Sequence, residues 1–320
     1  MEYHLTIEET THKIRNKAIE LGFLACGFSQ SKHLNEHEPR LINWLKEHRH
    51  GEMSYMANNL EKRVNPSLLE DGTKTIISVL LNYYPSIDQE SDNKWVISKY
   101  AYGKDYHYIM KDMLNDLLLF IQQLIPEAKG RVFVDSAPVL DRAWAVESGL
   151  GWIGKNGNVI SKEHGSFFFI GEILLNHTLK YDDSQSKNYC GKCTRCIDVC
   201  PTKAIYEPQK VDARKCLSYA TIEYRSAEIP ESIKGKLNNR LYGCDICQDI
   251  CPWNIKNATP TKIEAFKPLI GDECYTNDYW ENLTNGEFKR RYKSSPIMRA
   301  GLKQIRRNIN WLSDENKICD

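Results

Sequence analysis

Eight of the eleven cysteines in this 320-residue chain lie between Cys190 and Cys251. Four open the stretch, in Cys190-Gly-Lys-Cys193-Thr-Arg-Cys196-Ile-Asp-Val-Cys200-Pro201. Three close it, in Cys244-Asp-Ile-Cys247-Gln-Asp-Ile-Cys251-Pro252. Thiolates at C-x2-C-x2-C-x3-C-P spacing hold [4Fe–4S] clusters in bacterial ferredoxins, and the fourth cysteine ligates the other cluster. By that rule Cys190, Cys193 and Cys196 bind one cluster, with Cys251 reaching back as the fourth ligand. Cys200, Cys244 and Cys247 bind a second, which is one ligand short. Cys216, between the runs, is the simplest eighth ligand; Cys274 and Cys319 are rivals outside the module. Structural zinc is the other chemistry of paired C-x2-C runs, but the full spacing with Pro201 and Pro252 favours clusters. Two neighbouring clusters carry single electrons, so the first 180 residues are expected to hold an electron acceptor or the substrate.

The totals set limits on that expectation. A length of 320 leaves room for about two domains. Charged residues at 27% and hydrophobic ones at 41% are an ordinary globular composition, and a net charge of +1 argues neither for nor against nucleic acid. The N-terminal stretch has no apolar signal-peptide core, and no run reaches the length of a membrane span. The chain is therefore expected in the cytoplasm and not in a membrane. In such a reducing compartment C-x-x-C runs mean metal or redox chemistry, not disulfides.

The elements that must position this chemistry follow from pattern. Thr6 and Glu9 form a capping box for a helix with Ile7, Ile14, Ala18 and Leu21 on one face, ended by Gly22. Residues 23–29 and 75–84 read as strands, the second an apolar run stopped by Pro85. Residues 38–60 begin helical and become loop-like, and 86–93 read as a polar loop. A long helix follows His107, with Met110, Leu114, Leu117 and Ile121 on its apolar face. Residues 131–134 form a short strand, 139–148 a helix, 149–158 a glycine-rich loop and 166–175 another strand. The alternation predicts an α/β fold, with a helix-covered sheet over residues 1–180. The polar stretch 180–187 marks a boundary before a ferredoxin-like two-cluster domain, 181–256. Residues 257–320 are expected to be irregular, then helical, docking on what precedes them.

No acceptor is named by these residues alone. Gly149-x-Gly151-x-x-Gly154 matches a dinucleotide fingerprint as a string but follows a helix and precedes a strand, the wrong context. Asp105-Tyr106-His107 begins the D-x-H-x-x-G pattern of a histidine-ligated cobalamin, but Met110 stands where glycine is needed. Asp135 ends a strand, where such sheets place ligands; capping the helix that starts near Pro138 is its alternative use.

A wider set of motifs narrows the choice. It comprises Lys104-Asp105-Tyr106-His107, the stretch Val134-Asp135-Ser136-Ala137-Pro138 through Asp141-Arg142, and Gly149-Leu150-Gly151-Trp152-Ile153-Gly154-Lys155-Asn156. The cysteine runs belong to it, as do Cys216-Leu217-Ser218-Tyr219-Ala220-Thr221-Ile222-Glu223, Tyr242-Gly243-Cys244-Asp245 and the tail from Ser295-Pro296 to Arg306-Arg307-Asn308. In this order, over about residues 10 to 310, the chain resembles epoxyqueuosine reductase.

The resemblance implies a nitroreductase-like domain that holds cobalamin, related to reductive dehalogenases, with two [4Fe–4S] clusters feeding the cobalt. It implies reduction of the epoxide of epoxyqueuosine to the alkene of queuosine, at the wobble position of a tRNA with a GUN anticodon. An external electron donor is implied, and a monomer is expected. It makes Asp135 the proton donor. It places Arg63, Ser98, Lys104, Asp105, Asp135, Lys155, Asn156, Asn158, Ser218, Thr221 and Asp245 at the cofactor. Two features depart from the family pattern: Ser136-Ala137 replaces a common Thr-Gly, and the sequence ends at Asp320 where many relatives continue into a helical-repeat domain. Eight basic residues and no acidic one between Phe288 and Asn310 are a candidate tRNA contact, or a solvated face. The alternatives are a soluble dehalogenase-like enzyme acting on a small molecule, and a cobalamin or electron-transfer protein with no substrate of its own.

Overall fold

The structure is a computed structural model that describes residues 5–86, 95–184, 187–269 and 276–319. Its strands are β1 (Ala25–Gln30), β2 (Thr75–Asn82), β3 (Val96–Ile97), β4 (Gly130–Phe133), β5 (Trp152–Ile153), β6 (Val159–Ile160), β7 (Phe168–Leu175), β8 (Ile205–Glu207), β9 (Lys210–Val211) and β10 (Arg240–Tyr242). Its helices are α1 (Ile7–Glu20), α2 (Glu38–Lys46), α3 (Leu60–Val64), α4 (Tyr106–Leu124), α5 (Asp141–Glu147), α6 (Arg195–Asp198), α7 (Leu217–Ile222), α8 (Ile246–Asp249), α9 (Pro252–Asn257), α10 (Asn277–Asn282), α11 (Asn285–Tyr292) and α12 (Gly301–Cys319).

The main sheet runs β1-β2-β7-β4 and is antiparallel at every pairing. The helix-covered sheet expected from the sequence is present, in its α+β form. Alternating helix and strand patterns suggest parallel strands, but they do not record strand direction. Side chains alternate faces along a strand. Ile77, Val79 and Leu81 of β2 join Ile173 and Leu175 of β7 under α1 and α4. Ile76 and Leu174 pack with Ala143 and Trp144 of α5 on the other face. Cover on both faces is why β2 and β7 read as continuous apolar runs.

The cap of α1 forms where the sequence places it. The Thr6 hydroxyl accepts from Glu9 N at 3.2 Å, and the Glu9 carboxylate accepts from Thr6 N at 2.8 Å. Asp105 caps α4, accepting from His107 N at 3.0 Å. Two local expectations change. The helix expected over 139–148 begins at Asp141, so Asp135 lies six positions upstream and caps nothing. The glycine-rich stretch 149–158 contains β5, which pairs with β6 in a hairpin. Most of the polar loop expected over 86–93 lies outside the described residues.

The C-terminal segment shares a core with earlier chain. Trp280, Ile297, Ile305 and Ile309 pack with Leu217 and Tyr242, and with Trp95 and Ile97. Parallel pairing of β3 with β10 reinforces this join.

At Gly27 in β1, a Cβ would stand 2.0 Å from the Ser148 carbonyl oxygen at the end of α5. That oxygen is backbone and cannot swing aside. Gly27→Ala is expected to destabilise the chain by about 1–3 kcal/mol, the usual range for overpacking, read as a lower urea midpoint.

Candidate active site and cluster module

The cysteines sort into two groups in space. Cys190, Cys193, Cys196 and Cys251 line a cavity of about 290 Å³ with Lys155, Asn156, Arg195, Trp253 and Lys256. The Trp152 indole N–H donates to Cys190 Sγ at 3.5 Å. The second group is Cys200, Cys216, Cys244 and Cys247, whose thiols act electrostatically on one another. Among the described residues no three His, Cys, Asp or Glu side chains converge on a single ion; the first four sulfurs surround a cavity instead.

Short helices present these thiols. Cys216 and Cys251 are the N-cap residues of α7 and α9. Burial raises both thiols, while the backbone N–H groups of Tyr219 and Ser218 at Cys216, and of Trp253 and Asn254 at Cys251, pull the other way. Unpaired N–H groups and the helix dipole both favour a thiolate there. Without iron, burial and then the charges of Cys190, Cys251 and Cys193 push the Cys196 thiol up to about 11. Burial pushes Cys244 up to about 12. Four thiolates around one space need positive charge between them, and this donor set fits iron–sulfur clusters. The structure brings Cys216 into the second group. Cys274 lies outside the described residues.

Polar side chains join the module to the sheet domain. The buried Asp245 carboxylate, between Cys244 and Cys247, accepts from the Ser98 hydroxyl and from Lys99 N, the latter at 2.7 Å. Burial, then the neighbouring Asp249 charge, raises its pKa against the pull of Lys99. Gln248 donates to Ser166 O at 3.1 Å, and the Asn254 side-chain oxygen accepts from Ser166 N at 2.5 Å.

On the other side of this joint, Asp135 follows β4 with φ +53°, the left-handed region that a non-glycine residue enters at a cost. Its side chain is 61% exposed. The Tyr106 hydroxyl donates to Asp135 Oδ2 at 2.5 Å. His107 Nε2 stands 3.8 Å from the same oxygen, and its Nδ1 is 2.7 Å from Asp105 Oδ1. One turn of α4 thus presents a phenol and an imidazole to one carboxyl group. Tyr106 stacks on Phe169 of β7 with ring centres 4.0 Å apart, which fixes its direction. Burial and then the Asp135 charge raise Tyr106 well above the usual phenol range, so it stays a donor. Burial alone would raise Asp105, but the hydrogen bonds from the His107 ring and N–H outweigh it and lower its pKa.

The rim of this cleft includes Tyr55 and Arg299, both of which feel the Asp135 charge. Arg299 is paired with Glu223 at 2.5 and 2.9 Å. Arg142 is open to solvent, yet burial is the main cause lowering its pKa.

The other residues expected at a cofactor fall in three places. Lys104 is exposed and Ser218 half-buried, both with side chains open to a ligand. Lys155, Asn156 and Asn158 sit against the cluster module: Lys155 Nζ donates to Gly191 O at 2.8 Å, Asn156 donates to Cys247 O at 3.3 Å, and Asn156 Oδ1 accepts from Asn158 N at 3.2 Å. Arg63, Ser98, Thr221 and Asp245 are buried and internally bonded. Arg63 donates to Tyr55 O at 2.6 Å and Asn58 O at 3.2 Å. Thr221 departs most from its expected place on a cofactor wall. It is fully buried, donates to Leu217 O at 2.8 Å and accepts from Gly243 N at 3.0 Å, linking α7 to the second cysteine run. Sequence reasoning assigned no role to Tyr106, Asp141 or Glu172. A lone glutamate inside the apolar run of β7 was the available signal.

The basic run is only partly free. Arg306 donates to Trp280 O, Glu281 O and Leu283 O, and Arg307 to Tyr224 O, Ser226 O and Ala220 O, tying α12 to preceding chain. Arg291 donates to the Tyr279 hydroxyl at 3.2 Å. Lys289, Arg290, Lys293 and Lys303 remain exposed.

Together these features define a redox protein in which a two-cluster module is joined to an α+β domain carrying an open acidic site. A model of the 4Fe-4S double cluster binding domain matches residues 189–254, and one of epoxyqueuosine reductase QueG matches residues 63–136. A curated epoxyqueuosine reductase from Cyclobacterium marinum is 46% identical over 97% of this chain and 99% of its own length. A crystal structure of epoxyqueuosine reductase with an epoxyqueuosine-modified tRNA-Tyr stem loop superposes with a TM-score of 0.87 at 28% identity, covering 96% of this chain and 81% of that one. A Bacillus subtilis epoxyqueuosine reductase, solved with its catalytic aspartate loop swung out of the active site, gives 0.86 at 26% identity, covering 96% and 82%. The chain belongs to the epoxyqueuosine reductase family.

If Cys216 completes the second cluster, Cys216→Ala should lose about half of the bound iron, since each cluster takes about four thiolates. Iron analysis of anaerobically purified protein measures this; unchanged iron would remove Cys216 from the ligand set.

Proposed function

We propose that this chain reduces the epoxide of epoxyqueuosine in tRNA to the alkene of queuosine, in the cytoplasm, as a monomer fed by an external electron donor. The observation that carries the proposal is Asp135, exposed, in a strained backbone conformation and bonded to Tyr106, in a chain that belongs to this family over nearly its full length. Among the described residues no helix is long and apolar enough to cross a membrane.

Cys190, Cys193, Cys196 and Cys251 would hold one cluster, and Cys200, Cys216, Cys244 and Cys247 the other. The α+β domain would hold cobalamin, a group rich in amide acceptors, beside the exposed Asp135 carboxyl group. Lys104, which is exposed, and Ser218, which is half-buried, would be available to the cofactor. Asp105 would act from the cleft edge through His107. When bound, cobalamin supplies electron density at the substrate carbon.

The chain's own residues do the remaining work. Opening an epoxide to an alkene takes two electrons and two protons and releases water. Asp135 would give a proton to the departing oxygen, while Tyr106 and His107 orient its carboxyl group from the first turn of α4. The tail borders the same cleft: Asp105 N donates to Ser294 O at 2.6 Å, and Arg299 feels the Asp135 charge. Lys289, Arg290, Lys293 and Lys303 would contact phosphates beyond it, a reading supported by a relative's structure with a modified stem loop. Such contacts make affinity fall as salt rises.

Two measurements check the proposal. tRNA from a strain lacking this protein should accumulate epoxyqueuosine, by mass spectrometry; queuosine at its normal level would sink the assignment. Asp135→Asn should slow epoxide reduction by about 10²- to 10⁴-fold, the usual worth of a positioned proton donor, while both clusters still assemble. A variant of unchanged rate would remove Asp135 from this role.

A further inference from the structure

Two carboxyl groups near Asp135 have no use in the scheme above. Glu172 lies in mid-β7, opposite Ser78 of β2 and Phe133 of β4, and is 0% exposed. By alternation it shares a face with Leu174, the face that packs on α5. Asp141 is the first residue of α5, the helix that packs on this face of β7, and the two carboxyl groups raise or lower each other's pKa. No protein N–H or O–H reaches either Glu172 oxygen, or Asp141 Oδ1. Ionised carboxylates only accept hydrogen bonds. Three enclosed carboxyl oxygens with no donor disfavour two charges here, so the pair holds a proton.

The surroundings support a held proton. Burial raises the pKa of both groups, and the charge of Asp135 raises both further. The cations facing the pair are Arg142, beside Asp141 on α5, and Arg63 of α3. Arg142 is also bonded to Gly157 O, by a 2.5 Å contact, and Arg63 to two carbonyls. Tyr106 of α4 faces Asp141 as a protonated phenol. Nothing about the sheet calls for a carboxyl here. An apolar residue would fill this place in the run SFFFIGEILL without the desolvation penalty. Buried groups with shifted pKa values gather at functional sites.

The reaction balance supplies a use, and the inference rests on the function proposed above. Breaking both C–O bonds of the epoxide consumes two electrons and two protons, and both protons finish on the one departing oxygen. Asp135 delivers one, as proposed above. We propose that the Asp141–Glu172 pair stores the second proton and passes it to Asp135 between the two transfers. The pair is left singly more negative until solvent restores its proton. An alkoxide or hydroxide binds a proton far more tightly than any carboxylate, so the net transfer from the pair to the departing oxygen runs downhill. Asp141 and Glu172 are positioning residues in this scheme and act through Asp135.

The test begins with infrared spectroscopy of the intact, cluster-loaded protein and needs no turnover. The wild type should show the C=O stretch of a protonated carboxyl at neutral pH, lost in Glu172→Gln. Single-turnover reduction of an epoxyqueuosine stem loop is the second readout. Glu172→Gln and Asp141→Asn should each slow it at least tenfold at unchanged stem-loop affinity. The wild-type rate should fall as rising pH strips the stored proton, and the variants should lack that fall. Two variants on separate elements, checked for cluster absorbance and melting temperature, separate this role from a folding defect. Absence of the carboxyl band in the wild type overturns the proposal, as does a Glu172→Gln protein with wild-type rate and pH profile. A wild type that shows the band but leaves epoxyqueuosine intact overturns the functional reading, and with it the pair's role.

Discussion

The structure depends on one buried carboxylate. Asp245 stands within the second cysteine run and takes its hydrogen bonds from Ser98 and Lys99, which follow β3. Through it the loop that presents Cys244 and Cys247 is fixed to the chain that leads into α4. The same joint is braced by Gln248 and Asn254 on Ser166, just before β7. Burying Asp245 raises its pKa, so the contact is costly, and removing a partner of a buried charge typically costs about 3–5 kcal/mol. What the cost secures is position: the cysteine module and the Asp135 cleft are held by neighbouring segments of one backbone. In the proposed reaction, electron supply and proton supply meet only if that joint holds.

Local strain and burial follow the same logic. Asp135 is held in a left-handed conformation between β4 and α5, with Tyr106 on one side. The thiols of Cys216 and Cys251 sit at helix N-termini, where N–H groups meet the charge that iron–sulfur binding requires. Each arrangement is unfavourable locally and is sustained by the cores around it, Trp144 and Val139 behind the Asp135 loop and Leu217 and Tyr242 behind Cys216.

The chemistry of the cysteine runs was legible because cluster ligation is largely a matter of spacing along the chain. The cap of α1 was legible for the same reason: Glu9 lies three residues from Thr6. Strand direction was not, since nothing in an apolar run says which way its neighbour points. The 149–158 stretch read as a loop because its glycines suggest turns. Those glycines instead permit close backbone contact; a Cβ on Gly151 would stand 2.2 Å from Ile160 O. The basic tail misled in part, because a charge count cannot tell that Arg306 and Arg307 turn toward backbone carbonyls. Thr221 misled for a similar reason, as its place beside a cysteine ligand gave no sign that its hydroxyl serves Gly243. Asp141 and Glu172 acquire meaning only when folding brings α5 onto β7.

The central claim is that electrons from the cysteine module and protons from the Asp135 cleft meet at one substrate. Anaerobic incubation of the cobalamin-loaded, chemically reduced protein with an epoxyqueuosine-bearing stem loop tests it most directly, with the nucleoside products separated by mass spectrometry. Conversion to queuosine, one molecule for every two electrons drawn from the protein, is the predicted result. Epoxyqueuosine that persists while both clusters and the cobalt are reduced would contradict it.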